Sequence, residues 1–287
     1  MIYAFIETHV EYPVIKWAKY FEVSTSGYYS WLGRRDERSQ RNENYADEVE
    51  RIFMESRGTY GAERIGAELR RHGHSASFRK VRQIMRERNL RSVHVRKVKP
   101  LTDSRKARGD GFPNLLRGRK VTKPFEALSS DISYIQTDEG FDYLCQIKDI
   151  SSGVILASQQ HSRMTQELVI ATIRAAHKRW HLPMGTIFHS DRGCQYTSKD
   201  VMALLLSLGL RQSFSRVGMP GDNSWSESFF SILKKEAVYP YHFKTRDSAR
   251  QAIFSYIETF YNRFRIQKNL GWYSPLQWLD LSRPAAA

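Results

Sequence analysis

Cysteine is scarce in this sequence, and its scarcity excludes two kinds of architecture. Cys145 and Cys194 are too few for a disulfide framework and are not spaced as a zinc clasp. No stretch approaches the ~18 to 20 apolar residues of a membrane span, and residues 1–10 lack the basic start and apolar core of a secretion signal. We therefore expect a cytoplasmic protein, and 287 residues with 41% apolar content suffice for about two domains.

Acidic residues are outnumbered, and the imbalance is concentrated in one part of the chain. The net charge is +15, with 27 Lys and Arg against 15 Asp and Glu in residues 1–123 but 18 against 15 in residues 124–287. The densest segment, residues 91–123, holds eleven basic and two acidic residues among several Gly and Pro. This composition is typical of a linker that follows a phosphate backbone, and the alternative is a solvated hinge with incidental charge.

Helical periodicity runs through residues 47–90, where turns divide it into three short helices at 47–55, 61–71 and 77–89. Three short helices with a tight, Gly-containing turn before the last are typical of a helix-turn-helix. A purely structural three-helix bundle is the alternative. A smaller pair of helices at 13–21 and 25–32 precedes it and is either a second such motif or a helical hairpin.

The third helix of this motif has a basic face. The spacing predicts that Phe78, Val81 and Met85 are buried. The side chains left for DNA are Arg79, Lys80, Arg82, Gln83 and Arg86. In the smaller helical pair, the side chains predicted to pack inside are Tyr28, Tyr29 and Trp31.

After Lys123 the pattern changes to that of strands. The predicted strands are 128–135, 141–147, 153–158, 185–190 and 211–214, and the predicted helices are 165–180, 198–208 and 223–234. Their order is strand, strand, strand, helix, strand, helix, strand, helix. It is the order of the ribonuclease H-like fold, so we expect an α/β domain preceded by all-α helix-turn-helix modules.

Three carboxylates stand where that order would bring them together. Asp131 lies in the first strand, Asp191 follows the fourth strand, and Glu227 lies in the first turns of a helix that Asn223 is predicted to cap. Each acid alone is more often a solvated side chain, but the ordered set, with 35 residues between the last two, is that of a two-metal phosphoryl-transfer site. Carboxylates and the absence of a His and Cys cluster favour Mg²⁺ over zinc.

Four further features surround this predicted site. Lys234 lies two helical turns after Glu227 and is predicted to hold a DNA phosphate, whereas His189 is predicted to support the site without binding metal. The Gly- and Pro-rich loop at 216–222 is predicted to be mobile before DNA binds. The apolar stripe of residues 246–261 is predicted to pack on the core rather than contact DNA.

These residues resemble a known family, the OrfB-type DDE transposases of bacterial insertion elements of the IS-three family, which have a retroviral-integrase-like core. The matching segments run through nearly the whole chain in the family's order: 23–31 (VSTSGYYSW), 60–65 (YGAERI), 130–135 (SDISYI), 189–196 (HSDRGCQY), 218–223 (GMPGDN), 227–230 (ESFF) with 233–234 (LK), and 261–263 (YNR) with 274–275 (SP).

The resemblance implies a function and a set of site residues. Asp131, Asp191 and Glu227 would be the catalytic, metal-binding triad for two Mg²⁺ ions, with Mn²⁺ as a substitute, and Lys234 the basic residue of the same helix. The implied reaction is DNA strand cleavage followed by 3′-OH strand transfer during transposition of an insertion sequence. The implied partners are terminal inverted repeats, target DNA, a separate OrfA product and further copies of this chain on DNA, in a bacterial cytoplasm at the nucleoid.

The chain departs from the family pattern at several positions. Leu128 stands where Trp is common, Ser130 and Ser133 where Thr is common, Gly153 for Arg and Gln267 for His. None of these changes removes a predicted metal ligand. Two alternative functions remain: a catalytically inactive DNA-binding regulator of transposition, and a ribonuclease H-like nuclease.

The predicted domain organisation has five parts. They are an N-terminal helical segment (1–40), a helix-turn-helix DNA-binding domain (41–98), a basic linker (99–123), a ribonuclease H-like integrase catalytic core (124–240) and a C-terminal helix and tail (241–287).

Overall fold

The computed structural model describes residues 1–93, 113–216 and 219–282. The chain divides into two compact units, Met1–Arg91 and Ser92–Ala287. Most of the predicted basic linker, at 94–112, lies outside the described residues, as do Val217 and Gly218 of the predicted mobile loop. None of the helices in the described part of the chain is long and apolar enough to cross a membrane.

Helices alone form the regular structure of the first unit within residues 1–93. They are α1 (Ile2–Thr8), α2 (Val14–Tyr20), α3 (Thr25–Gly33), α4 (Arg35–Glu55), α5 (Ala62–Arg71) and α6 (Phe78–Glu87). The predicted helical pair corresponds to α2 and α3. Tyr28 is buried as predicted, but the prediction for Tyr29 was wrong, since 59% of it is exposed. The ring of Tyr28 packs against the ring of Tyr3 in α1, with centroids 6.0 Å apart.

Helix α4 begins at Arg35, twelve residues before the predicted start. Residues 35–46 are almost entirely polar, so no apolar periodicity marks them as a helix. Arg88, the residue after α6, pairs with Glu43 in this segment and with Asp47 and Glu50 of the predicted part of α4. One of these long-range ion pairs therefore reaches the part of α4 that its own sequence pattern does not indicate.

The third helix of the motif, α6, begins where the Ser77 hydroxyl accepts a hydrogen bond from the Lys80 N–H. Val81 and Met85 are buried as predicted, and Ile84 joins them. The prediction for Phe78 was wrong, since 56% of it is exposed. Phe78 is the first residue of α6, so its side chain lies beyond the part of the helix that packs on α4 and α5.

A five-stranded sheet organises the described part of the second unit. Its strands are β1 (Ala127–Thr137), β2 (Gly140–Asp149), β3 (Ile155–His161), β4 (Ile187–Ser190) and β5 (Arg211–Phe214). The order across the sheet is β3-β2-β1-β4-β5. The first three strands are antiparallel, and β4 and β5 run parallel to β1. This is the predicted ribonuclease H-like topology, with the strand of the first acid at the centre.

Helices cover both faces of this sheet. They are α7 (Gln166–Trp180), α8 (Lys199–Ser207), α9 (Ser224–Leu233), α10 (Arg246–Ser255) and α11 (Pro275–Ser282). Side chains alternate between the faces of a strand. Leu128 of β1 joins the apolar core with α7 and α8, whereas Gln146 of β2 bonds to α9 on the opposite face. The fold therefore has three layers.

The apolar stripe of residues 246–261 is buried, as predicted. Helix α10 continues as a π-helical turn, Tyr256–Tyr261. The apolar stripe predicted to pack on the core is at most 2% exposed and consists of Ala249, Ile253, Tyr256, Ile257 and Phe260.

The end of the predicted basic linker also belongs to the second unit. The Phe214 N–H donates to the Pro113 carbonyl at 3.0 Å, and the Leu115 N–H donates to the Ser213 hydroxyl at 2.9 Å. Leu116 is buried against Ala127 and Ile187. Residues 113–116 therefore extend the edge of the sheet beside β5.

Candidate active site

The first two predicted acids meet because their strands are parallel neighbours. Ser129 of β1 pairs with His189 of β4. Asp131 and Asp191 each lie two residues further on, at the same end of the sheet. The Asp131 carboxylate accepts the Ile132 N–H at 2.8 Å, and the Asp191 carboxylate accepts the Gly193 N–H at 3.0 Å.

The third acid reaches the same place on α9. The pKa of Asp131 is raised to about 8, mainly by burial and further by the charges of Asp191 and Glu227. The Ile132 N–H and the charge of Lys234 act in the opposite direction and lower it. Burial also raises the pKa of Asp191 and of Glu227. The charges of Asp191 and Glu227 both act on the Asp131 carboxylate, so the three acids lie near one another at this end of the sheet.

The chemistry of this donor set suits a hard divalent cation. Carboxylate oxygens are the protein ligands of Mg²⁺, and a cation relieves the repulsion that raises the pKa of Asp131. In the described residues, no group of three His, Cys, Asp or Glu side chains has the compact geometry of a metal cluster. The acids fit Mg²⁺ by charge and donor type.

Lys234 directly follows α9 and lies near Asp131. Its Nζ atom is 4.6 Å from the centre of the Tyr134 ring, on the strand of Asp131. Burial lowers its pKa, and the charge of Asp131 opposes that shift. The helix continues past it as a π-helical turn, Lys234–Val238. An ammonium group thus stands close to the acids.

His189 lies in β4, and its buried ring is held by hydrogen bonds on both sides. Its Nδ1 atom is 2.9 Å from the Ser213 hydroxyl, and Nε2 is 3.0 Å from the Asp222 carbonyl. Burial lowers its pKa, so the ring is neutral near pH 7. A neutral imidazole held by hydrogen bonds anchors the start of α9 to β4.

The predicted mobile loop at 216–222 is closed at its two ends. The Arg216 guanidinium donates two hydrogen bonds to the Asp222 carboxylate, at 2.9 and 3.0 Å. These bonds hold the pKa of Asp222 at about 2. Residues 220–223 form a short 3₁₀ helix. The described ends of the loop are therefore fixed to each other.

The predicted cap of α9 was wrong in its mechanism. Asn223 occupies the capping position, but its side chain makes no capping hydrogen bond. Its amide group instead donates to the Ser130 carbonyl of β1 at 3.2 Å. The side chain therefore fixes the helix to the sheet rather than closing the helix end.

Two residues that the sequence pattern did not single out also meet beside the acids. Gln146 of β2 is paired with Asp131 across the sheet, and its amide donates to the hydroxyl of Ser226 at 2.9 Å. The sequence signal that could have identified Gln146 is its position as a polar residue within the apolar run of residues 143–147. Its partner could not be read from the sequence, because 80 positions separate the two residues.

The raised pKa of Asp131 predicts a pH-dependent stability in the absence of divalent metal. The native carboxyl group stays protonated to pH about 8, whereas in the unfolded chain it ionises near its ordinary pKa of 3.8. The native state binds the extra proton between these values, so the free energy of unfolding falls as pH rises through the window. Asp131→Asn should remove this loss and be about 1 to 3 kcal/mol more stable than wild type at pH about 8.

Urea denaturation in a chelating buffer, at pH about 5 and about 8, measures this difference. Asp280→Asn serves as a control, because Asp280 is an exposed carboxylate of α11. An Asp131→Asn protein that loses as much stability as wild type over this window would contradict the assigned pKa.

The predicted DNA-binding face of α6 is available in the first unit. Arg79, Lys80, Arg82 and Arg86 are all exposed, opposite the buried side chains of the helix. The Lys80 ammonium lies 4.3 Å from the centre of the Tyr45 ring of α4. The helix therefore has one apolar and one basic face.

Family models match three segments of the chain. The model described as "Integrase core domain" matches residues 121–220, and a second model of that description matches residues 227–281. The model described as "HTH-like domain" matches residues 39–98. The three acids fall within the two integrase-core segments, and α6 falls within the third.

Curated relatives match this chain over nearly its whole length. The transposase InsF for insertion sequence IS3A of Escherichia coli is 35% identical over 286 residues, which is 97% of this chain and 98% of the relative. A 31 kDa protein of insertion element IS600 from Shigella sonnei is 35% identical over 93% of this chain and 98% of its own. Among solved structures, the catalytic core domain of BIV integrase is 18% identical, with a TM-score of 0.43 over 55% of this chain and 95% of that one.

Proposed function

Because this chain belongs to the family of insertion-sequence transposases with an integrase core domain, we propose that it catalyses Mg²⁺-dependent DNA strand cleavage and 3′-OH strand transfer. The observation that supports this proposal is that Asp131 and Asp191 follow parallel neighbouring strands to the same end of the sheet. The charges of Asp191 and Glu227 both raise the pKa of Asp131, which agrees with a site made of these three acids.

The proposed role of the three acids is to hold the reacting groups through divalent cations. Asp131, Asp191 and Glu227 would be the carboxylates that hold two Mg²⁺ ions. When bound, such a pair activates the attacking oxygen and neutralises the leaving oxygen of a phosphodiester. The sheet would help to position these groups, since β1 and β4 are parallel neighbours and bring both aspartates to the same end of the sheet.

Lys234 is proposed to bind a DNA phosphate beside the acids. Its ammonium lies over the Tyr134 ring. A phosphate oxygen binds an ammonium more strongly than an aromatic face does. A lysine holds a phosphate as a point charge, so the contact positions DNA without reading its sequence.

The first unit is proposed to hold the element ends. The exposed basic face of α6, with Arg79, Lys80, Arg82 and Arg86, matches the recognition helix of a helix-turn-helix in position and charge. The predicted domain boundaries at 40, 98, 123 and 240 are retained in this proposal, with residues 113–116 packed on the core.

The proposed partners follow from the reaction. Joining two element ends to one target needs at least two protomers on DNA, and the family resemblance adds an OrfA product. We assign this work to the bacterial cytoplasm, at the nucleoid.

The test is a strand-transfer assay with labelled duplexes that carry candidate terminal repeats, with and without Mg²⁺ and an OrfA product. The expected result is metal-dependent 3′-end cleavage followed by joined products. DNA binding without cleavage under any of these conditions would instead identify a DNA-binding regulator. Cleavage without joining, in the presence of a target duplex, would identify a nuclease.

A further inference from the structure

The face of the sheet beneath the start of α9 is polar although it is buried. We call the side chains there the polar seam: Ser129, Gln146 and Lys148 of the sheet with Asn223 and Ser226 of the α9 segment. Ser129, Gln146 and Ser226 are fully buried, and Asn223 and Lys148 are 4% and 9% exposed. Further along the same helix, Phe229 and Leu233 are fully buried apolar side chains. The seam is thus confined to the turn that precedes and contains Glu227.

Hydrogen bonds cross this seam at three points. The Gln146 amide donates to the Ser226 hydroxyl at 2.9 Å, and the Lys148 ammonium donates to the Trp225 carbonyl at 3.1 Å. The third bond is the one from Asn223 to the carbonyl of β1. Hydrogen bonds therefore join the start of α9 to both β1 and β2.

Gln146 occupies a special position among these residues. It is the cross-strand partner of Asp131, and side chains of paired residues project from the same face of the sheet. Ser226, which accepts its hydrogen bond, directly precedes Glu227. One hydrogen bond therefore joins the neighbour of the first acid to the neighbour of the third.

The polar seam stabilises the contact between α9 and the sheet less than an apolar interface would. Three of its buried atoms, Ser129 Oγ, Gln146 Oε1 and Asn223 Oδ1, have no hydrogen-bond partner among the described residues. Unpaired buried polar atoms destabilise a fold, and apolar side chains of similar volume would hold α9 more strongly. Apolar contact has no direction, however, and permits a helix to slide, whereas a hydrogen bond fixes distance and angle.

We propose that Gln146 and Ser226 are positioning residues for catalysis, whose hydrogen bond sets the place of the Glu227 carboxylate relative to Asp131. This inference rests on the proposed function, since it concerns the geometry of the same three acids. It predicts that loss of the bond impairs the chemical step and metal binding while DNA binding stays intact.

The chain offers a matched pair of variants to test it. Ser226 and Ser228 flank Glu227 on either side, but Ser226 is buried and bonded to Gln146 whereas Ser228 is exposed. Ser226→Ala should lower kcat for strand transfer about 10- to 100-fold, the cost of a displacement of about 1 Å, with KM for DNA unchanged. Ser228→Ala should leave both constants at the wild-type value.

A second measurement reports on the site without catalysis. Mn²⁺ binding, followed by electron paramagnetic resonance of the full chain, should weaken in Ser226→Ala and stay unchanged in Ser228→Ala. In Gln146→Leu the same bond is lost from the other side. The double variant Gln146→Leu/Ser226→Ala should be no slower than the slower single variant, because both changes remove one interaction.

The outcomes separate this inference from the proposed function. An inactive wild-type protein would overturn both. An active wild type in which Ser226→Ala matches Ser228→Ala in kcat and Mn²⁺ affinity would overturn this inference alone, even if the melting temperature of Ser226→Ala were lower. Should Gln146→Leu fail to fold, the serine pair still decides the question.

Discussion

Glu227→Gln is expected to lower strand transfer about 1,000-fold or more, because the amide keeps the shape of the side chain and removes its negative charge. A neutral amide is a poor ligand for a hard divalent cation, and the proposed site would lose one of its three carboxylates. DNA retention should be unchanged or slightly tighter, since the substitution removes one negative charge near the phosphates.

Two measurements check this result. Single-turnover cleavage and joining on a terminal-repeat duplex report the chemistry, and a filter or mobility-shift assay reports DNA binding. Asp280→Asn, which alters an exposed carboxylate of α11, should behave as wild type in both. Strand transfer by Glu227→Gln within about tenfold of wild type would remove Glu227 from the site, because a metal-ligand carboxylate contributes more than this.

Arg265→Met is expected to destabilise the second unit by about 3 to 5 kcal/mol, because it leaves the Glu236 carboxylate buried without its partner. The side chains of Arg265 and Glu236 are 3% and 9% exposed, and two hydrogen bonds of 2.6 and 2.8 Å join them. The Tyr256 hydroxyl donates a further bond to Glu236 at 2.6 Å. The pair fixes the turn after Lys234 to the C-terminal segment.

Thermal and urea denaturation of the full chain measure this effect. At about 2 to 4 °C per kcal/mol, the transition of the second unit should fall by roughly 10 °C. The double variant Arg265→Met/Glu236→Leu should recover most of the loss, since replacing a whole buried ion pair by apolar side chains is often neutral or stabilising. A single variant as stable as wild type would mean that Glu236 reaches solvent when its partner is gone.

Much of the second unit could be predicted because its elements carry strong local signals. The strands of Asp131 and Asp191 are short runs of apolar and β-branched residues between turns, and the sequence predicted β5 with its observed limits, Arg211–Phe214. Asp131 and Asp191 could be placed at one end of the sheet because the order of the strands decides which strand ends lie together.

The errors have a common physical cause. The first half of α4 is polar, so no local apolar pattern indicated it. Phe78 and Tyr29 have the residue type of a core, but the packing of neighbouring helices leaves them exposed. Asn223 is a common residue type at a helix cap, but its side-chain amide donates a hydrogen bond to the Ser130 carbonyl instead.

The sequence by itself therefore determined the strands of the sheet, the order of the elements in the second unit and the family, and it singled out the three acids, because these depend on residue type and on spacing along the chain. Only the tertiary structure decided which polar groups are buried and with which partners. The link between Gln146 and Ser226 and the ion pair between Glu236 and Arg265 join residues distant in sequence. Such bonds exist only after packing has excluded water, and residue types alone do not specify which partners will meet.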